Sequence, residues 1–152
     1  MSQILTSYFL PCLWAFCSCV GFGLIFNVLG RGILICGLGG AVGWLAYLLS
    51  LEVFSSDILA AFLAATVIGI YSEIMARIRR CPATGYLQIA LLPLVPGAGV
   101  YYAMQHCLAG ESDLFLDTLL HTLGFAAAIS VGAMLATSVL RALLPRIQAH
   151  MR

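Results

Sequence analysis

The 152-residue chain is 62% hydrophobic and only 9% charged, with a mean hydropathy of +1.07 and a formal net charge of +1. Soluble domains carry roughly 25% charged residues, so this composition excludes a water-soluble globular protein and indicates an integral membrane protein. Seven arginines, no lysine and six acidic residues leave no basic excess that would indicate a nucleic-acid partner.

Five apolar runs are each long enough to form a membrane-spanning helix. Such a helix needs about 20 apolar residues to cross a hydrocarbon core roughly 30 Å thick. In chain order, the predicted spans are approximately Ile4–Phe26, Ile33–Leu51, Ile58–Ala76, Gly85–Leu108 and Leu116–Leu144. The sequence therefore predicts an all-α polytopic membrane protein, with residues 1–152 forming a single membrane domain.

Small residues recur at every fourth position in three of these spans. The ridges are Gly39 and Gly43 in the second span, Ala61, Ala65 and Gly69 in the third, and Gly124, Ala128, Gly132 and Ala136 in the fifth. Small side chains let the backbones of two membrane helices approach closely. We expect these ridges to be helix contacts.

Two acidic residues fall within the bounds of the predicted spans: Asp117 is at the very start of the fifth, and Glu73 continues the small-residue ridge of the third. An acid within a membrane usually faces a partner or water, which makes Glu73 a candidate proton or substrate site. The alternative is a structural ion pair with Arg77, one helical turn later. We favour the ion pair, because Glu73 lies only one turn from the arginine cluster of residues 77–80.

The fourth span contains four residues that break helices: Pro93, Pro96, Gly97 and Gly99. Each proline lacks the N–H that would bond to the carbonyl four residues earlier. Pro96 also disfavours helical angles at the residue before it. We therefore predict two half-helices joined by an unwound link between about Leu94 and Gly99.

A broken helix in a membrane has two interpretations. Free backbone groups at this depth are tolerated inside protein or along a water-filled cavity, and the N-termini of half-helices attract anionic groups in transporters. On that interpretation the amides of Gly97, Gly99 and Val100 and the hydroxyls of Tyr101 and Tyr102 line a substrate path. The alternative is a kink that serves helix packing alone.

The charges are consistent with five spans. With alternate connections on opposite sides, all seven arginines fall on one side, and the acids other than Glu73 fall on the other. The positive-inside rule makes the arginine side cytoplasmic. The predicted topology has the N-terminus outside and the C-terminus in the cytoplasm.

No arrangement of residues indicates an enzyme. The six cysteines form no CxxC and have no histidine at ligand spacing, and no nucleophile has a nearby base. We expect no catalytic residue, no metal site and no cofactor. His106 and His121 flank the acidic loop as either proton relays or exposed interfacial residues. Six aromatic residues are candidates for interfacial anchors, and several of them lie too deep for that role and would pack or line a cavity: Tyr8, Trp14, Trp44, Tyr47, Tyr101 and Tyr102.

Two motifs resemble those of a known family. The first is GFGLIFNV, residues 21–28, followed by Arg31, and the second is LPLVPGAGVYYAM, residues 92–104, with the core Pro96-Gly97-x-x-x-Tyr101. Their order and spacing, the chain length and the five spans resemble the small subunit of the threonine/serine exporter family. One departure is Leu29, where a proline would be expected.

The resemblance implies a partner and a substrate class. Such small subunits work with a larger membrane subunit, and in some members the two are one fused chain. Together they export threonine and serine, or dicarboxylates such as succinate, across the bacterial inner membrane, as secondary transporters. The resemblance also makes the motif residues candidates for the substrate path: Asn27, Pro93, Pro96, Gly97, Gly99 and Tyr101.

Two further expectations concern assembly. Five short helices in 16.2 kDa are few for an alternating-access transporter. We therefore expect that either the larger subunit or further copies of this chain, in a homo-oligomer, complete the transporter within the lipid bilayer. The chief rival hypothesis is a scaffold or assembly subunit of a membrane complex that has no substrate site of its own.

Overall fold

The computed structural model describes residues 5–28 and 30–150, with side chains for residues 6–28 and 30–142. Ile4 and Leu29 therefore lie outside the described residues. The helices are α1 (Leu10–Ile25), α2 (Arg31–Phe54), α3 (Asp57–Arg79), α4 (Ala83–Leu91), α5 (Gly97–Ala109) and α6 (Ser112–His150). A π-helical turn, Leu5–Phe9, leads into α1, and a 3-10 turn, Leu92–Leu94, extends α4.

Four continuous helical segments are long and apolar enough to cross a membrane: Thr6–Ile25, Arg31–Phe54, Asp57–Arg79 and Ser112–Ala142. A fifth candidate is the pair Ala83–Leu94 and Gly97–Ala109, whose two halves are bent by 49°. The chain is therefore an all-α polytopic membrane protein with four or five candidate spans in its described residues, and the segment predicted as the fourth span is broken where the prolines predict.

The ends of α3 carry opposite charges. Asp57 lies in its first turn, and Arg77 and Arg79 lie in its last. Each charge is on the side that complements the helix dipole. The turns on either side hold residues with left-handed backbone angles, Ser55 before α3 and Arg80 after it. Two sharp turns thus set α3 antiparallel to its sequence neighbours.

Helix α2 lies between α1 on one side and α3 and α4 on the other, because its glycines leave both faces open. A β-carbon at Gly40 would overlap the Cys19 sulfur of α1. A β-carbon at Gly39 would lie 2.9 Å from the Tyr71 ring of α3 and 3.1 Å from Ala90 Cβ of α4. The predicted contact at Gly39 is therefore confirmed, and glycine is required there by close approach.

The longest interface joins α3 to α6, and it forms where two small-residue ridges meet. Ala61, Ala65 and Gly69 of α3 are buried. A β-carbon at Gly132 of α6 would overlap the Phe62 carbonyl, and one at Gly69 would lie 2.7 Å from Ala136 Cβ. The predicted ridge contacts of these two helices are confirmed.

Helix α5 is peripheral. It packs mainly on α6, whereas α4, the first half of the same span, packs on α2 and α3. Of its residues, Ala103 is buried, while Val100, Tyr101, Tyr102 and Met104 are exposed. The break therefore divides the span into a half within the helix bundle and a half at its edge.

Candidate functional site

The break in the fourth span is short and is centred on Val95 and Pro96. The 3-10 turn ends at Leu94, Val95 has extended angles (φ −59°, ψ 128°), and Pro96 (φ −77°, ψ 56°) caps α5. Gly97 and Gly99 are in the first turn of α5. The unwound link was predicted to extend to about Gly99, which is too long. Pro96 caps α5, so the helix already begins at the next residue, Gly97.

The carbonyl groups that the prolines leave free are satisfied within the fold. Pro93 has no N–H to donate to the Ile89 carbonyl. This carbonyl instead accepts a hydrogen bond from the Leu92 N–H, and its oxygen lies 3.2 Å from the Cys19 thiol of α1. The Leu92 carbonyl accepts from the Val95 N–H at 3.2 Å. Both carbonyls that the prolines free are therefore bonded within the fold.

Two backbone amides at the start of α5 are bonded to nearby carbonyls. The Gly97 N–H bonds to the Val95 carbonyl at 2.8 Å, and the Val100 N–H bonds to the Pro96 carbonyl at 3.3 Å. Ala98 and Gly99 lie between them, in the turn whose N–H groups have no partner within a helix. The expectation that Gly97 and Val100 offer free amides is therefore wrong. The amides that remain available at the start of α5 are those of Ala98 and Gly99.

A cavity of about 250 Å³ lies against the break. Residues 93–99 line one side of it, and Trp44 and Tyr47 of α2 and His121, Thr122 and Phe125 of α6 line the rest. Tyr47 connects the two helices, since its ring centroid is 5.5 Å from that of Trp44 and 6.2 Å from that of Phe125. The cavity thus combines an aromatic wall with the N-terminus of a half-helix.

Polar side chains complete the lining. The Trp44 Nε1–H is buried and has no hydrogen-bond partner among the described residues. His121 Nε2 lies 3.9 Å from the Asp57 carboxylate of α3. Thr122 is 5% exposed and donates its hydroxyl to the Thr118 carbonyl at 2.6 Å. The cavity is therefore lined by a tryptophan whose indole donor is enclosed and unpaired, and by a histidine near the acidic end of α3.

The fold brings some of the predicted path residues together and separates others. Pro93, Pro96, Gly97 and Gly99 all line the cavity. Asn27 occupies the turn between α1 and α2 with a left-handed backbone (φ 56°), which asparagine tolerates, and it does not line this cavity. Tyr101 is 65% exposed on the outer face of α5 and does not line it either.

Glu73 forms a separate cluster with two arginines. Its side chain is almost completely buried, and its Oε2 is 3.9 Å from Arg77 Nη2, as the sequence spacing predicts. A closer partner comes from α6: Arg141 donates from Nε to Oε1 at 2.7 Å. Sequence reasoning missed this bond, because Arg141 lies 68 residues away and only the packing of α3 on α6 joins them.

The cavity walls other than the break were only partly foreseen. The sequence indicated that several aromatic residues lie too deep for interfacial anchors, but not that Trp44 and Tyr47 are among them, and nothing indicated that Thr122 and Phe125 would face these two. A signal was present, since positions 121, 122 and 125 lie about one turn apart on α6 and include a polar residue within an apolar span.

Comparison with known proteins identifies related sequences. A family model described as Threonine/Serine exporter, ThrE, matches residues 11–139. A curated protein of Haemophilus influenzae, described as an uncharacterized protein, is 28% identical over 107 residues, which are 70% of this chain and 36% of that protein. The chain thus spans about a third of the length of that relative. No solved structure matches the chain.

Proposed function

Because the chain belongs to the threonine/serine exporter family, we propose that it is the small membrane subunit of a secondary exporter that moves small carboxylate-bearing metabolites out of the cytoplasm. The substrate is threonine or serine, or a dicarboxylate such as succinate. Transport is driven by an ion gradient, since the chain has no lysine with which to form a P-loop.

The observation that carries this proposal is the cavity at the broken span. The Ala98 and Gly99 amides lie at the start of α5, beside a cavity lined by residues 93–99. The N-terminus of a helix attracts anions through its free N–H groups and its dipole. In transporters, such half-helix ends bind the carboxylate of the substrate. A carboxylate seated against these two amides is the binding mode that we propose.

The remaining walls suit a small, partly apolar metabolite. The volume of about 250 Å³ is a little below the roughly 300–1,000 Å³ of pockets for drug-sized ligands. The Trp44 Nε1–H is enclosed and unpaired in this structure, and in this proposal a small rotation of the indole ring brings it to a carboxylate or hydroxyl oxygen of the bound substrate. Thr122 and Gly99 fix how closely α5 approaches α6 and therefore the width of the cavity.

We propose further that a larger membrane subunit completes the transporter. The outer face of α5 is exposed over Val100, Tyr101 and Met104, and α5 has α6 as its main neighbour. The curated relative extends well beyond the matched region, which is compatible with a fused second subunit in that protein. In this proposal the larger subunit packs beside α5 and closes the path.

The proposed location is the bacterial inner membrane, with the N-terminus outside and the C-terminus in the cytoplasm. The support is the charge distribution. Arg31 begins α2, Arg77 and Arg79 lie in the last turn of α3, and Arg141 lies in the second half of α6. With five spans these positions share one side, which the positive-inside rule assigns to the cytoplasm.

Deletion in the native host tests the proposed function. Cells with and without the chain are loaded with labelled threonine, serine or succinate, and the rate at which each label leaves is compared. We expect the deletion to slow the release of at least one of these compounds and a plasmid copy to restore it. Equal release of all three by both strains would contradict an export function.

A further inference from the structure

The Glu73 cluster holds one arginine firmly and the other loosely. Arg141 Nε and Glu73 Oε1 are 2.7 Å apart, which is the distance of a charge-assisted hydrogen bond. Arg77 Nη2 and Glu73 Oε2 are 3.9 Å apart, which is beyond hydrogen-bond range. The Glu73 side chain is 6% exposed, whereas those of Arg77 and Arg141 are 34% and 59% exposed. The carboxylate is thus inside the protein, whereas both arginine side chains are partly exposed.

Arg77 has unused donor capacity in this cluster. Its Nε is buried and has no hydrogen-bond partner in the described ranges, 5–28 and 30–150. A guanidinium group has five N–H donors in a planar fork that matches a carboxylate. Buried polar groups are nearly always paired, so the unpaired Nε marks a guanidinium group whose donors are not all used. Because the Nε atom itself is enclosed, an added acceptor would have to approach the exposed part of the Arg77 side chain.

The charges of the cluster leave room for one more anion. Two arginines and one glutamate sum to a net charge of +1. One additional carboxylate would make the cluster neutral. Charge interactions are stronger near a protein–lipid boundary than in bulk water, because the effective dielectric constant is lower.

The cluster is far from the cavity at the broken span. Arg141 follows His121 of the cavity by 20 residues on α6, which is about 30 Å at 1.5 Å per residue. Glu73 lies near the arginine-bearing end of α3, and Asp57, which neighbours His121, lies at the other end. Any anion site here is therefore separate from the cavity.

We propose that Arg77 and Arg141 form a second carboxylate-binding site at the cytoplasmic end of the chain, in which Glu73 is a built-in competitor for the substrate carboxylate. This inference rests on the proposed function. A carboxylate that arrives from the cytoplasm bonds to the terminal amino groups of Arg77, one of which lies 3.9 Å from Glu73, and then shares Arg141 with Glu73. The site gathers anionic substrate before it moves to the cavity, and Glu73 keeps the arginines oriented when no substrate is bound.

Residue-resolved labelling of arginine tests this site in the unaltered chain. The purified chain in lipid nanodiscs is treated with phenylglyoxal, and mass spectrometry follows the modification of each arginine. We expect succinate and L-threonine to slow modification of Arg77 and Arg141, and L-threoninol, which lacks the carboxylate, not to slow it. The exposed Arg79 and Arg80 are internal controls whose rates should not change. Equal rates at Arg77 and Arg141 with and without carboxylate, or protection of all four arginines alike, would overturn the proposal.

A variant separates competition from a purely structural ion pair. Glu73→Gln keeps the size of the side chain and removes the competing charge. In this variant, we expect carboxylates to protect Arg77 from phenylglyoxal at a concentration about tenfold lower than in the parent chain. This is roughly the effect of one charge-assisted hydrogen bond. If Glu73→Gln does not fold, Glu73→Asp, which withdraws the carboxylate by one methylene, should shift protection in the same direction. Unchanged or weaker protection in the folded variant would contradict the competitor role.

The failure of this site and the failure of the export function give different results. If carboxylates do not protect Arg77 or Arg141 while deletion of the chain slows export, the second site is wrong and the proposed function stands. If deletion leaves export unchanged, the proposed function fails whatever the labelling shows.

Discussion

Gly99 of α5 packs directly against Thr122 of α6, and this contact sets the position of the second half of the broken span beside the cavity. A β-carbon at position 99 would overlap Thr122 Oγ1 and lie 3.1 Å from Thr122 Cγ2. Thr122 cannot turn away freely, because its hydroxyl is bonded to the Thr118 carbonyl at 2.6 Å. The approach of the two helices therefore depends on the absence of a side chain at position 99.

Gly99→Ala should push α5 away from α6. Overpacking of a tight contact costs about 1–3 kcal/mol, and the displacement also moves the Ala98 and Gly99 amides. We expect lower thermal stability of the purified chain and slower export. Gly97→Ala is the matched control, since a β-carbon there would meet no atom within 4 Å. If Gly99→Ala matched Gly97→Ala in both measurements, the contact would not be important.

Trp44→Phe should weaken the apparent affinity for substrate. The change keeps an aromatic ring in the wall and removes the unused Nε1–H. A hydrogen bond to a charged group contributes about 1.5–3 kcal/mol, so the substrate concentration for half-maximal export should rise by at least about tenfold. Trp14→Phe is the control, since Trp14 is 67% exposed and does not line the cavity. Equal behaviour of both variants would remove Trp44 from the binding wall.

Arg141→Gln should destabilise the chain more than Arg77→Gln. It leaves the buried Glu73 carboxylate without its 2.7 Å partner, and an unsatisfied buried group costs about 1–3 kcal/mol. Arg77 lies 3.9 Å away and contributes less. Thermal unfolding in detergent measures the difference, with the exposed Arg79→Gln expected within about 0.5 kcal/mol of the parent. The reverse order would mean that Arg77 is the principal partner of Glu73.

The topology is checked with reporter fusions. A fusion after Gln148 should report the cytoplasm and one after Ser112 the outside, because the arginines and the outer acids separate completely with five spans. A periplasmic signal from the fusion at Gln148 would contradict the proposed orientation.

Local chemistry made the helices and the break predictable. Composition and the length of the apolar runs were sufficient to predict an all-α membrane protein. The two prolines were sufficient to predict a break in the fourth of these runs. The resemblance drawn from the motifs at residues 21–28 and 92–104 is confirmed by the family match. Small-residue ridges correctly indicated helix contacts, because close backbone approach requires small side chains in either partner.

Relations between distant helices were not predictable in the same way. The bond from Arg141 to Glu73 and the contact of Gly99 with Thr122 depend on which helices are neighbours and how each is rotated. A single sequence carries no direct signal for either. The fate of the freed carbonyls was also missed, because the Cys19 thiol near the Ile89 carbonyl comes from 70 residues earlier in the chain.

The central claim is that the break at Val95 and Pro96 borders the transport path, and Gly97→Val tests it most directly. Gly97 lines the cavity and has open space around the position of a β-carbon, so valine restricts the backbone and narrows the approach to the amides. The measurement is release of labelled threonine or succinate from loaded cells, divided by the amount of assembled complex, with Gly97→Ala and Pro96→Ala for comparison. We predict that Gly97→Val loses most of its export per assembled complex, Pro96→Ala loses less, and Gly97→Ala stays close to the parent. Export per complex equal to the parent in Gly97→Val would contradict this account.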